Sequence, residues 1–220
     1  VLANVLIHKQ GAQSIWTTSD LEIQMRHQAV LGGDETEQYS TTVAVRKLID
    51  ILRTLAPEQM VSLEDKEQKL LLRAGKSRFT LQSLPAQDFP LVQEANSYGE
   101  PITLPQKELK KLLQQVAFSM AVQDIRHYLN GLLLQIDGKK LAIVATDGHR
   151  LAYTETALEQ ELPKQDIILP RKTVLELLRL LSDNEDAMME LAIASNQARF
   201  RLGQLEFISK LVEGKFPDYN

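Results

Sequence analysis

The sequence predicts an α+β fold assembled from repeated units, each an amphipathic helix joined to several short antiparallel strands. Three observations carry this. Helical apolar spacing occurs three times, each time directly behind a strand-like phrase; short alternating segments follow every helix; and the non-helical segments match one another at a fixed shift.

Thr42-Val43-Ala44-Val45 leads into a helix that opens at Arg46-Lys47 and carries Leu48, Ile51, Leu52 and Leu55 on one face. Ile102-Thr103-Leu104-Pro105 leads into a second, with Leu109, Leu112, Leu113 and Val116. Ile167-Ile168-Leu169-Pro170 leads into a third, with Val174, Leu177, Leu178 and Leu181. Proline suits the entry of a helix, where no amide partner is lost. Strands are expected near residues 60–83, 129–156 and 188–211. Leu132 to Ile136 and Leu141 to Val144 form a hairpin around Asp137-Gly138, since Asp-Gly supplies the positive φ of a tight turn. Asp147-Gly148 breaks the second of these strands and starts a third at His149.

A shift of 127 places Val1 to Leu6 on Tyr128 to Leu133, Ser19-Asp20 on Thr146-Asp147, and Phe89-Pro90 on Phe216-Pro217. Four copies of the unit follow, over 1–38 (lacking its helix), 39–96, 100–160 and 164–220. Paired, they give two domains, 1–96 and 100–220, joined by the polar, turn-rich Gln93 to Glu100.

Composition narrows the class. In 220 residues, 44% are hydrophobic and 25% charged, ordinary for a globular protein with real cores. With no cysteine there are no disulfides or thiolate metal sites, which suits a reducing compartment, so a cytoplasmic location is expected. No apolar run approaches membrane-spanning length. The beginning at Val1, without a leader pattern, and the end at Phe216-Pro217-Asp218-Tyr219-Asn220 are read as those of a fragment.

The net charge is −4, yet the helices at 46–55, 106–116 and 171–181 carry nine basic residues against three acidic ones, so they hold +6 on an acidic remainder. Three basic helix faces form a surface suited to phosphates, with no base-reading constellation, and aromatics do not interleave with the cations as a single-strand stacking platform requires. Duplex nucleic acid is the expected partner.

Thr146-Asp147-Gly148-His149-Arg150-Leu151-Ala152, together with Leu2-Ala3-Asn4, Gly75-Lys76-Ser77-Arg78-Phe79, Asp88-Phe89-Pro90, Tyr128-Leu129-Asn130-Gly131 and Phe216-Pro217-Asp218-Tyr219, resembles the bacterial sliding clamps, the beta processivity subunits of DNA polymerase III. The resemblance covers the whole chain. It implies the DNA-clamp fold, with pseudo-twofold units whose helices line a basic inner face and whose sheets lie outside; the first helix and strand of domain I and all of domain III would be missing. It implies a non-catalytic DNA replication factor that encircles double-stranded DNA without sequence preference, needs no cofactor or metal, and closes as a homodimeric ring when full length. Arg46, Lys47, Lys76, Arg78, Lys107, Lys111, Gln123, His127, Tyr128, Arg171 and Lys172 would face DNA. Arg126, Leu129, Thr146, Gly148, His149, Arg150, Leu151 and Pro217 would border a pocket for short peptides of the polymerase catalytic subunit, the clamp loader and other clamp-binding proteins.

Two other readings stand beside it. Asp147 and His149 could serve a hydrolase or metal-dependent enzyme as an acid–base pair or as ligands. No second histidine, paired carboxylate or glycine-rich phosphate loop completes that constellation, His8, His27 and His127 lying in other parts of the sequence. The units could also form a repeat scaffold without DNA binding.

Overall fold

The computed structural model describes residues 2–219 and divides the chain into two compact units, Val1–Val92 and Gln93–Asn220. Among the described residues the α-helices are α1 (Val45–Arg53), α2 (Gln106–Val116) and α3 (Arg171–Leu180). Each starts where the repeated strand phrase ends.

The first unit holds β1 (Asn4–Gln10), β2 (Gln13–Ser19), β3 (Ile23–Val30), β4 (Gln38–Ala44), β5 (Val61–Lys66), β6 (Lys69–Ala74) and β7 (Ser77–Pro85), paired antiparallel in the order β5-β6-β7-β4-β1-β2-β3. Leu48 of α1 is buried against Val5, Ile7, Val43, Leu70, Leu72 and Leu81, with Ile51 and Leu55 packed alongside. Leu52, expected on the same face, is exposed instead. The stripe at 48, 51 and 55 already fills the interface with the sheet, and Leu52 lies on its flank.

The second unit holds β8 (Ile102–Pro105), β9 (Gly131–Thr146), β10 (Leu151–Pro170), β11 (Met188–Ile193), β12 (Gln197–Leu202) and β13 (Leu205–Lys210). β13-β12-β11-β8 form one antiparallel array, and β9 pairs with β10. Leu109, Leu112, Leu113 and Val116 of α2, and Val174 and Leu177 of α3, are buried as their spacing predicts. β9 doubles back at Gly138 (φ 61°): Leu133 and Val144 share one cluster with Ile168 and Phe216, whereas an unbent strand would hold those two about 35 Å apart. β1 and β2 turn in the same way at Gly11 (φ 60°), the residue 127 positions earlier.

The hydrogen bonds repeat too. Ser19 Oγ accepts the amide of Leu21, and Asp20 Oδ1 accepts those of Glu22 and Ile23. Thr146 Oγ1 likewise accepts the amide of Gly148, and Asp147 Oδ1 those of His149 and Arg150. The third residue of each turn has a positive φ, 76° at Leu21 and 89° at Gly148. β10 therefore starts at Leu151, two residues beyond the expected His149, because the carboxylate holds both amides before the ladder can.

The boundary between the units differs from expectation. Gln93 to Gly99 belongs to the second unit: the buried Gln197 accepts the amide of Ala95 and the Tyr98 hydroxyl proton and donates to the Gln93 carbonyl, while Gly99 N–H donates to Ile193 O. Polar composition marked a linker; a single buried amide binds it down.

A Cβ on Gly131 would lie 2.1 Å from the Leu169 carbonyl oxygen, whereas one on Gly138 meets nothing within 4 Å. Gly131→Ala should destabilise by about 2–3 kcal/mol through forced separation of β9 and β10. Gly138→Ala should cost about 1 kcal/mol, from its positive φ alone. Urea denaturation of both variants checks the order.

Candidate functional site

The distinctive cluster of the second unit forms where the Thr146–Leu151 turn meets the loop between α2 and β9. Asp124 closes that loop: its Oδ1 accepts Arg126 N and Nε at 2.8 and 3.0 Å, and its Oδ2 accepts Nη2 at 2.8 Å. The Asn130 side chain joins reciprocally, donating to Asp124 O and accepting Asp124 N, both at 2.8 Å. Arg126 Nη2 then reaches Asp147 O at 3.4 Å, and its guanidinium covers Gly148, where a Cβ would come within 3.3 Å of both terminal nitrogens. From the other side Arg150 donates to Phe118 O at 2.9 Å and lies 5.8 Å from the Phe118 ring centroid. Sequence reasoning missed Asp124, Asn130 and Phe118. Phe118, 61% exposed, has no motif to mark it.

The expected peptide-binding residues separate into three groups. Arg126, Gly148, His149, Arg150 and Leu151 are exposed together around the turn, and Thr146, 9% exposed, braces it through Gly148 N and Arg150 O. Leu129 is 1% exposed, which corrects its assignment to the peptide-binding surface: its side chain is interior. Pro217 lies in the segment 211–219, whose Phe216 packs with Leu133, Val144 and Ile168 beside Tyr128. That segment walls a cleft of about 780 Å³ shared with Leu133, Gln135 and Ile168, and of the eight residues only Pro217 lines it.

The enzymatic alternative finds no support here. The backbone amides of His149 and Arg150 hold the Asp147 carboxyl below the usual carboxylate range, which makes it a turn former and a weak base. Among the described residues no group of three or more His, Asp or Glu side chains is arranged to hold a metal.

The expected DNA-facing cations are at the surface. Arg46 and Lys47 occupy the first turn of α1, Lys76 and Arg78 the β6–β7 turn and the start of β7, Lys107 and Lys111 the exposed side of α2, and Lys172 the first turn of α3. Arg171 is half-buried, its Nη1 3.4 Å from Met120 O. Two α2 cations are paired, Lys107 with Glu185 and Lys110 with Asp183 at 2.7 Å, so the +6 counted from sequence overstates the free charge. Gln123, with φ 54°, and His127 are exposed on the loop, but Tyr128 is half-buried against the Phe216 cluster and serves the packing there.

A family model of the DNA polymerase III beta subunit N-terminal domain matches residues 1–93, and one of its central domain matches 103–218. The chain belongs to the DNA polymerase III beta subunit family. It is 44% identical to the beta sliding clamp of Pseudomonas aeruginosa and 42% identical to that of Escherichia coli K12, covering 100% of this chain and 59% of each relative. Its fold matches the crystal structure of the DNA polymerase III subunit beta from Pseudomonas aeruginosa with a TM-score of 0.95 at 42% identity, and Caulobacter crescentus pol III beta with 0.91 at 33%. All of this chain is covered in both, against 59% and 60% of those chains. The α+β fold expected from the repeats, and the clamp fold that the resemblance implies, are the fold observed.

The Arg126 side chain and amide lower the Asp124 pKa from 3.8 to about 2. A depressed carboxylate pKa stabilises the closed loop above the unfolded value, and this contribution is lost as pH falls from near 4 through 2. Carboxyl NMR titration should place the Asp124 midpoint near 2 and, in Arg126→Ala, back toward 3.8. An unmoved midpoint would remove the Arg126 guanidinium as a cause and leave only the amide, which alanine retains.

Proposed function

We propose that the chain supplies the first two domains of a DNA sliding clamp, a non-catalytic processivity factor that encircles duplex DNA in the bacterial cytoplasm and tethers the replicative polymerase. The observation that carries the DNA part is the placement of cations on the helices. Arg46 and Lys47, Lys107, and Arg171 and Lys172 all stand in first turns, where the helix dipole disfavours positive charge by about 0.3–1 kcal/mol each. Stability alone would put carboxylates there, yet only α2 has one, Glu108. Cations and helix dipoles together give a field for phosphates, and without base-reading groups the attraction is independent of sequence, as sliding requires.

The partner part rests on the turn at 146–151. Arg126 and Arg150 brace it from two sides, and Leu151, 46% exposed, offers an apolar anchor beside rigid polar groups. This suits a short peptide of the polymerase, the clamp loader or another clamp-binding protein. In the full-length protein two subunits close the ring, and Gln123 and His127 reach toward the duplex from the adjoining loop.

Changing Arg46, Lys107, Lys111 and Arg171 to Glu in a full-length clamp carrying these residues should weaken binding to a short mixed-sequence duplex at least tenfold in low salt. It should also flatten the dependence of log affinity on log salt by up to about 3.6, since each phosphate that is no longer neutralised removes roughly 0.9 from the slope. Fluorescence anisotropy at several salt concentrations measures both, and unchanged affinity would rule out these helices as the DNA face.

Leu129 and Leu151 should respond oppositely to truncation. Leu129→Ala removes an interior side chain and should cost about 2–5 kcal/mol of stability. Leu151→Ala should leave the melting temperature nearly unchanged while weakening polymerase-peptide binding by about 1–2 kcal/mol. Calorimetry of the variants with a polymerase tail peptide separates the roles, and full peptide affinity in Leu151→Ala would displace the site from this turn.

A further inference from the structure

The loop between α3 and β11 is fastened to the start of α2 by one side chain. Gln106, 7% exposed, accepts Ser182 N through Oε1 at 2.9 Å and donates from Nε2 to Met188 O at 3.1 Å, so its amide spans both ends of the loop. Gln106 N–H donates to Ala187 O at 2.8 Å. Within the loop, Ser182 Oγ accepts Asn184 N and Asn184 Oδ1 accepts Asp186 N. This frame carries Asp183 to Lys110 and Glu185 to Lys107. The hydrogen bond from Lys107 to Glu185 also holds the ammonium above its ordinary pKa.

The fold does not need these carboxylates. The loop after α2 does the corresponding work at the start of α3, where Arg171 meets the Met120 carbonyl and Ala121 N–H donates to Leu129 O. Its carboxylate, Asp124, pairs with Arg126 of the same loop and not with a helix lysine. The Asp183 and Glu185 side chains are 76% and 77% exposed, against 17% for Lys110 and 50% for Lys107, and with both carboxylates open to water the pairs contribute only about 0–1 kcal/mol. Gln106, not the ion pairs, fixes the loop.

We propose that Asp183 and Glu185 are built-in counterions that occupy Lys107 and Lys110 and must be displaced by phosphate when duplex DNA meets α2. The inference rests on the duplex-binding reading above and adds a regulator to that surface. An intramolecular carboxylate is tethered at the lysine at any salt concentration, so its displacement opposes binding, whereas release of a mobile cation favours it in dilute salt. The pairs therefore lower duplex affinity and flatten its salt dependence.

Asp183→Asn combined with Glu185→Gln, in a full-length clamp carrying these residues, tests this by anisotropy against a short mixed-sequence duplex. Affinity in low salt should rise about three- to tenfold, and the log–log salt slope should steepen by about one to two, as two lysines become available to phosphate. The melting temperature should stay within about 2 °C, since exposed pairs are weak. Glu159→Gln with Glu161→Gln removes the same charge from exposed positions of β10 and should change little. Placing Asp183→Asn and Glu185→Gln on Lys107→Gln with Lys110→Gln should abolish the gain. Equal gains from both acidic pairs, a gain that survives loss of the lysines, or a drop in melting temperature without a gain would each overturn the counterion role. Unchanged affinity in a protein whose binding still falls with Arg171→Glu would overturn this inference and leave duplex binding standing. Absence of salt-dependent binding in every variant would overturn both.

Discussion

One backbone hydrogen bond recurs at each helix and sets the geometry of everything else. The first amide of α1, Val45 N, donates to Ala3 O at 3.0 Å; that of α2, Gln106 N, to Ala187 O at 2.8 Å; that of α3, Arg171 N, to Asn130 O at 2.8 Å. In every case the acceptor is the residue just before a strand, β1, β11 or β9. No side chain caps these helices. A strand runs straight into each helix through Ala44, Pro105 or Pro170, and the neighbouring chain segment accepts the first of the amides that have no partner within the helix. The helix start is thereby fixed to the sheet, and its first-turn side chains with it. Burying leucines such as Leu109 and Leu113, at about 1.5–3 kcal/mol each, outweighs the dipole penalty of the cations beside them.

The repeat shows how the turn of the proposed site differs from its copy. Asp20 and Asp147 organise the same turn with the same two amides, so the shared design is structural. The copies differ in what surrounds them. Leu21 occupies the positive-φ position of the first copy at a cost of about 1–2 kcal/mol, whereas glycine at 148 removes that strain and admits the Arg126 guanidinium. With Arg126 on one side and Arg150 on the other, the second turn is held as a rigid polar rim beside an exposed leucine.

The helices and the repeat are legible in the sequence because each leaves a periodic trace: burial of Leu109, Leu112, Leu113 and Val116 follows from 3.6-residue spacing, and the paired turns follow from the 127-residue shift. Individual side-chain fates are less legible. Tyr128-Leu129-Asn130-Gly131 has no period long enough to say which side faces inward, so the resemblance alone places Leu129 at the pocket border, and it is interior. The residues 93–99 are polar like a linker, but Gln197, far along the chain, holds them down. The partners of Lys107 and Lys110 are hidden for the same reason, since Glu185 and Asp183 approach α2 only through the folded loop.

Those hidden partners alter how the charge count is read. A sum over helices treats every cation as available, yet availability depends on what the fold brings beside it. On α2, Lys111 has no ion-pair partner among the described residues, while Lys107 and Lys110 each have a carboxylate within reach. At an effective dielectric of about 80, a unit pair 4 Å apart interacts by about 1 kcal/mol, little more than thermal energy. Such a pair neither locks the lysine nor leaves it free. On the proposed duplex-binding reading, such a surface would hold phosphates and release them with small changes in energy, as an interface that moves along DNA requires.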